Sequence, residues 1–92
     1  MGKFKVILKP QAENEFLQIE KSGNKATIKR ITTIIIELAE HPTFGTGNPE
    51  HLKHNLSGLW SRRLNKKDRL IYEIFEEPED LVVVISALGH YL

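Results

Sequence analysis

The chain has 92 residues, 40% of them apolar and 27% charged, with a net charge of +1 and no cysteine. This is the composition of one ordinary globular domain near the small end of what folds on a single core, and it excludes a disulfide scaffold or a thiolate metal site. The opening residues hold too short an apolar stretch for a secretory signal, and the longest apolar run, residues 81–88, falls far below the ~20 residues that span a bilayer, so a soluble, cytoplasmic protein with no membrane partner is expected.

Residues 4–9 alternate, with Phe4, Val6 and Leu8 on one face and lysines mostly on the other, which predicts a first strand. Pro10 then suits the first turn of a helix, where its missing N–H costs nothing. Ala12, Phe16 and Ile19 follow at helical spacing, with Glu13 and Glu15 near the end that favours acids. Ser22-Gly23-Asn24 breaks this helix, and Asn24 can cap the next. The second helix is expected from Lys25 to Glu40. Ile28, Ile31, Ile35 and Leu38 recur on one face, Ile34 widens the stripe, and His41-Pro42 ends it.

Residues 43–58 hold three glycines, Pro49 and many polar groups, and read as a long connection of the kind that tends to carry function. Residues 59–64 and 69–75 read as two strands joined by Asn65-Lys66-Lys67-Asp68. Glu76-Glu77-Pro78-Glu79-Asp80 is an acidic turn. Residues 81–87 are continuous and rich in β-branched side chains, as a central buried strand would be. The expected fold is α+β, a single domain over residues 1–92 in the order β-α-α-β-β-β, with two helices packed on one face of a small, mainly antiparallel twisted sheet.

The small net charge conceals a polarised chain. Between His51 and Arg69 there are six bases (Lys53, Arg62, Arg63, Lys66, Lys67 and Arg69) and one acid, Asp68, whereas residues 73–80 hold five acids and no base. A local positive cluster attracts polyanions even on a nearly neutral molecule; a solvated strand face balanced by an acidic turn would look the same.

His51 and His54 lie three apart with no cysteine or well-placed carboxylate to complete a metal site. Gly45-Thr46-Gly47 follows no strand, as a phosphate-binding loop would, and Ser57 and Ser61 lack an evident base and orienting acid. The residues left for chemistry are Glu50, Lys53, Arg63, Arg69, His90 and Tyr91. Cleaving RNA through the ribose 2′-hydroxyl needs a base, cations for the charged phosphorus intermediate, and an acid for the departing 5′-oxygen. Each acid–base partner contributes about 10²–10⁴-fold, and a positioned cation about 3–4 kcal/mol by analogy with a single oxyanion donor. Each residue also has a plainer reading: a solvated Glu50, Arg63 and Arg69 paired with the acidic turn, a frayed His90, and Tyr91 as a core or interface aromatic. Strand alternation sets Trp60, Arg62 and Leu64 on one face and Ser61 and Arg63 on the other, so Arg62→Ala is expected to hurt less than Arg69→Ala.

The stretch Pro49-Glu50-His51-Leu52-Lys53-His54-Asn55-Leu56-Ser57-Gly58-Leu59-Trp60-Ser61-Arg62-Arg63-Leu64, followed by Arg69-Leu70-Ile71-Tyr72 and a late His90-Tyr91, resembles the YoeB-type toxins, the Txe/YoeB branch of the RelE/ParE superfamily. With the preceding helix and Pro42-Thr43-Phe44-Gly45, the resemblance covers most of the chain. It implies a ribosome-dependent endoribonuclease that cuts messenger RNA without metal or other cofactor and is silenced by a cognate antitoxin of the YefM/Axe type. By motif, Glu50 would be the general base, His90 the general acid, and Arg69 the group holding the scissile phosphate. Lys53 and Arg63 would assist phosphate binding, and Tyr91 would shape the site beside His90. Members of the family often pair as homodimers and bind the ribosomal decoding region. A glutamate is a weak base at neutral pH, and desolvation in a complex would strengthen it, which would tie cutting to the ribosome. The acidic turn is longer than in the family pattern, and Leu92 extends past the His-Tyr pair. Two other readings stay open: a ParE-like toxin that blocks gyrase by occupancy, and a plain RNA- or ribosome-binding module.

Overall fold

In the computed structural model, residues 3–89 are described; the expectations for His90 and Tyr91 lie outside them. The first strand, β1 (Lys5–Leu8), turns Val6 and Leu8 inward as its alternation implies. Helix α1 (Pro10–Ser22) starts on its proline and stops where Gly23 takes a left-handed φ of 75°, a conformation glycine adopts without a Cβ penalty. The Asn24 side chain accepts a hydrogen bond from the Thr27 N–H at 3.1 Å, capping α2 (Lys25–Glu40). That helix ends at His41-Pro42, at the bounds the sequence implies.

Three longer strands follow: β3 (Leu59–Arg63), β4 (Arg69–Phe75) and β5 (Leu81–Gly89). One strand was not legible beforehand. Within the long connection, β2 (Glu50–His51) pairs antiparallel with β3, and a 3-10 turn forms at His54–Leu56. Two paired residues are too few for alternation to show. The sheet order is β1-β5-β4-β3-β2, with β1 parallel to β5 and every other pairing antiparallel. β5 is therefore an interior strand, and it runs two residues beyond the expected end because pairing with β4 continues to Gly89, opposite Arg69.

Both helices pack on one face of this sheet. The core joins Ala12 and Ile19 of α1, Ile31, Ile34 and Leu38 of α2, and Leu70, Tyr72, Val82 and Val84 from the strands. Between β3 and β4 the chain turns tightly: Asn65 accepts from the backbone N–H groups of Lys67 and Asp68, and the Leu64 N–H reaches the Asp68 carbonyl at 3.0 Å. No helix among the described residues is long and apolar enough to cross a membrane.

Candidate active site

Strand β3 divides its side chains between two environments. Trp60, Arg62 and Leu64 turn toward the helices, while Leu59, Ser61 and Arg63 turn to the open face, as alternation requires. The consequence for Arg62 is larger than alternation suggests. It is fully buried, and so does not belong to the basic surface between His51 and Arg69.

A buried guanidinium needs its charge and its donors satisfied, and Arg62 has both. Its Nη1 pairs with Glu37 of α2 at 2.6 Å, Nε donates to the Tyr72 hydroxyl at 3.1 Å, and Nη2 donates to the carbonyls of His41 and Phe44, each at 3.0 Å. The Tyr72 hydroxyl donates onward to the Pro42 carbonyl at 2.7 Å. Glu37 also accepts from the Thr46 N–H and hydroxyl. Burial raises the Glu37 pKa, but the two bonds from Thr46 and the Arg62 charge outweigh it, leaving the carboxyl below its ordinary value. Burial pushes the Tyr72 phenol up, keeping it protonated as a donor.

This network straps residues 41–46 to β3. Immediately after, the Arg63 N–H donates to the Gly47 carbonyl at 2.7 Å. Gly47 has a φ of 86°, and a Cβ there would lie 2.8 Å from the Arg63 carbonyl oxygen, so only glycine lets the two backbones approach this closely. The loop is thus fixed at its far end, and Pro49 feeds directly into β2 and Glu50.

On the open face the strand register aligns two rows. Glu50 sits opposite Ser61, which sits opposite Ile71; two residues along, Arg63 sits opposite Arg69, which sits opposite Gly89. Strands lie ~4.8 Å apart and same-face residues ~6.8 Å apart along each. The Glu50 Cα is therefore roughly 8 Å from that of Arg63 and roughly 12 Å from that of Arg69, close enough for extended side chains to address one nucleotide. Ile71, in the Glu50 row, is buried but lies outside the helix-facing core, so an apolar side chain stands beside the charged residues on this face. Ser61 is also fully buried, and its hydroxyl has no hydrogen-bond partner among the described residues.

Glu50, Arg63 and Arg69 are thus brought together on one face. Lys53 is exposed three residues beyond Glu50, where the chain enters the 3-10 turn. His90 and Tyr91 fall outside the described residues, but Gly89, to which His90 is bonded, lies opposite Arg69. The acidic turn is at the other end of β4 from Arg69, about 20 Å away for a seven-residue strand, so it does not neutralise that arginine. His51 stacks on Trp60 with ring centroids 4.8 Å apart, and no cluster that could hold a metal occurs among the described residues.

Two features were missed in the sequence. The Arg62–Glu37 pair joins residues 25 positions apart, and its one advance signal was that Arg62 shares a strand face with Trp60 and Leu64. Glu15 looked like a helix-terminal charge, yet its Oε1 accepts from the Ser86 hydroxyl and from the Ala87 and Leu88 N–H groups of β5.

Comparison with known proteins agrees with this fold. The profile of the YoeB-like toxins of bacterial type II toxin-antitoxin systems matches residues 9–91. Toxin YoeB of Synechocystis sp. is 42% identical over 71 residues, covering 77% of this chain and 79% of that protein. YoeB from Staphylococcus aureus, solved as a dimer, superposes with a TM-score of 0.78 at 28% identity, covering 97% of this chain and 99% of its own. The heterotetrameric YoeB–YefM toxin-antitoxin complex from the same organism gives a TM-score of 0.75 at 28% identity, covering 96% and 98%. With the motif block, the fold and the profile in agreement over nearly the whole length, the chain belongs to the YoeB-like toxins of bacterial type II toxin-antitoxin systems.

Proposed function

We propose that this toxin is an endoribonuclease that cuts messenger RNA on the ribosome, using side chains as acid and base. The observation that supports this most is the pairing of Arg63 with Arg69 across neighbouring strands, on the face that also presents Glu50. Two guanidinium-bearing residues directly opposed on one strand pair make a local positive site that attracts an anion. A phosphodiester is such an anion, and Glu50 stands one row away, where a ribose 2′-hydroxyl would lie.

In this reading Glu50 takes the 2′-hydroxyl proton while the 2′-oxygen bonds to phosphorus. The bond from phosphorus to the 5′-oxygen breaks, and the departing oxygen takes a proton from His90. Arg69 stabilises the charge on the non-bridging oxygens, with Arg63 and Lys53 assisting, and Tyr91 shapes the site beside His90. The buried Ile71 beside them lowers the local exposure to water, which strengthens such electrostatic contacts. The products are a 2′,3′-cyclic phosphate and a 5′-hydroxyl.

The partners follow from the same reading: the ribosome with its message in the cytoplasm, a second copy of the chain, and a YefM/Axe-type antitoxin. The Staphylococcus aureus relatives, one a YoeB dimer and one a YoeB–YefM complex, support the last two. The test is incubation with purified ribosomes carrying a defined message, followed by mapping of the ends. New 5′-hydroxyl and cyclic-phosphate ends are expected, with little cutting of naked RNA. Salt-sensitive binding without new ends would mark a binding module instead, and rapid cutting of free message would remove the ribosome from the account.

A further inference from the structure

Strand β5 departs from regular pairing in one region. Between Tyr72 and Arg69 on β4 there are three steps (72 − 69), while their partners Val84 and Gly89 on β5 are five steps apart (89 − 84). Two extra residues are therefore accommodated here, and among the described residues the register irregularities of the sheet all fall in this stretch. Bulges of this kind bend a strand and re-aim the residues that come after them. The next residue after Gly89 is His90.

The bulged backbone is held from outside the sheet. Oε1 of Glu15, on α1, accepts from the Ser86 hydroxyl at 2.9 Å, the Ala87 N–H at 2.7 Å and the Leu88 N–H at 3.0 Å. Its Oε2 accepts from Gln11, one helical turn earlier, at 3.0 Å. Consecutive N–H groups converging on one oxygen form a concave anion site made of backbone. Burial raises the Glu15 pKa, but the bonds from Gln11, Leu88, Ala87 and Ser86 together lower it below its ordinary value.

We propose that Glu15 is a positioning residue for RNA cleavage: its grip on Ala87 and Leu88 fixes the bulged end of β5, and with it the direction in which the chain leads from Gly89 beside Arg69 into the general acid His90. This rests on the nuclease reading above and on His90 as the proton donor. The cost of losing the grip follows from geometry, since a misplacement of ~1 Å at a reacting group can cost ~10²-fold.

The test compares wild type, Glu15→Ala, Glu15→Gln and His90→Gln in single-turnover cleavage on programmed ribosomes. Two messages are used, identical except that the second carries sulfur in place of the departing 5′-oxygen. A thiolate leaves without needing a proton, so a defect confined to the acid disappears on the sulfur message. Glu15→Ala should be about 10–100-fold slow on the oxygen message and within about threefold of wild type on the sulfur one. Glu15→Gln keeps a neutral oxygen acceptor, should keep its fold, and should fall between wild type and alanine with the same recovery.

An equal defect of both Glu15 variants on the two messages would mean loss of folded protein or of the base, and would overturn the proposal. So would full-speed cutting of the oxygen message by Glu15→Ala beside a slow His90→Gln. If wild type leaves the message intact, or His90→Gln cuts as fast as wild type, the nuclease reading fails and takes this inference with it.

Discussion

Replacing Arg62 by alanine separates what holds the molecule together from what acts on a ligand. In the folded protein Arg62 is fully buried, and its partner Glu37 keeps 19% side-chain exposure. The substitution leaves the carbonyls of His41 and Phe44 and the Tyr72 hydroxyl without their donor, while Glu37 retains its two bonds from Thr46. Breaking a buried pair from one side costs about 3–5 kcal/mol. Because Glu37 keeps partners and some water, the lower end, about 3 kcal/mol, applies. A domain of this size has about 5–15 kcal/mol in total, and each kcal/mol moves its midpoint by about 4–8 °C, so a fall of about 12–24 °C is expected. Thermal unfolding followed by circular dichroism measures it. Arg62→Lys should recover part of the loss, since one ammonium cannot serve all the acceptors a guanidinium fork reaches. Arg69→Ala, on the open face, should stay within about 1 kcal/mol of wild type while losing growth inhibition. Growth assays alone would merge the two effects, because lowered stability reduces the amount of one variant in the cell while the other variant lacks function. An Arg62→Ala protein melting within about 3 °C of wild type would refute the assignment of Arg62 as the buried strap.

Glu50→Gln and His90→Gln are each expected to abolish growth inhibition while preserving the melting temperature and antitoxin binding; full toxicity in both would remove the acid–base assignment. Asn24→Ala should cost about 1 kcal/mol in urea unfolding through loss of the α2 cap, with cleavage by the folded protein unchanged. The Glu37 carboxyl is held below its ordinary value of 4.5 in the folded state, so its stabilisation is present above the unfolded value and is lost as pH falls through the folded one. From about pH 5 downward, wild type should therefore lose stability more steeply than Glu37→Gln. Parallel curves in acid titration of the melting temperature would contradict this.

Local signals were legible and long-range ones were not. Asn24 and Pro42 bracket α2 because capping and proline geometry act within a few residues. Both faces of β3 follow from alternation alone, and so does the placement of Ser61 with Arg63. The parallel pairing of β1 with β5 leaves no local trace, and β2 is too short to show a period. Arg62 was hidden by its type, since arginine is almost never fully buried unless paired and its partner lies on another element. Glu15 was hidden in the same way: it reads as a favourable helix-terminal acid until β5 is set against it. For the candidate site, the register supplies what spacing could not, because it carries Glu50 and Arg69 from segments 19 positions apart (69 − 50) onto one surface.

The strand order has a consequence for how the molecule comes into being. Lys5 lies beside Leu81, 76 positions later (81 − 5), so during synthesis the earliest strand waits with an open edge for residues 81–89 to leave the exit tunnel. Pairings this distant are slow to form, and this one completes the sheet around the strand that carries Gly89 beside Arg69. On the function proposed above, the target is the machine that makes the chain. If so, a copy whose interior strand has not yet paired would lack the placement of Gly89 beside Arg69.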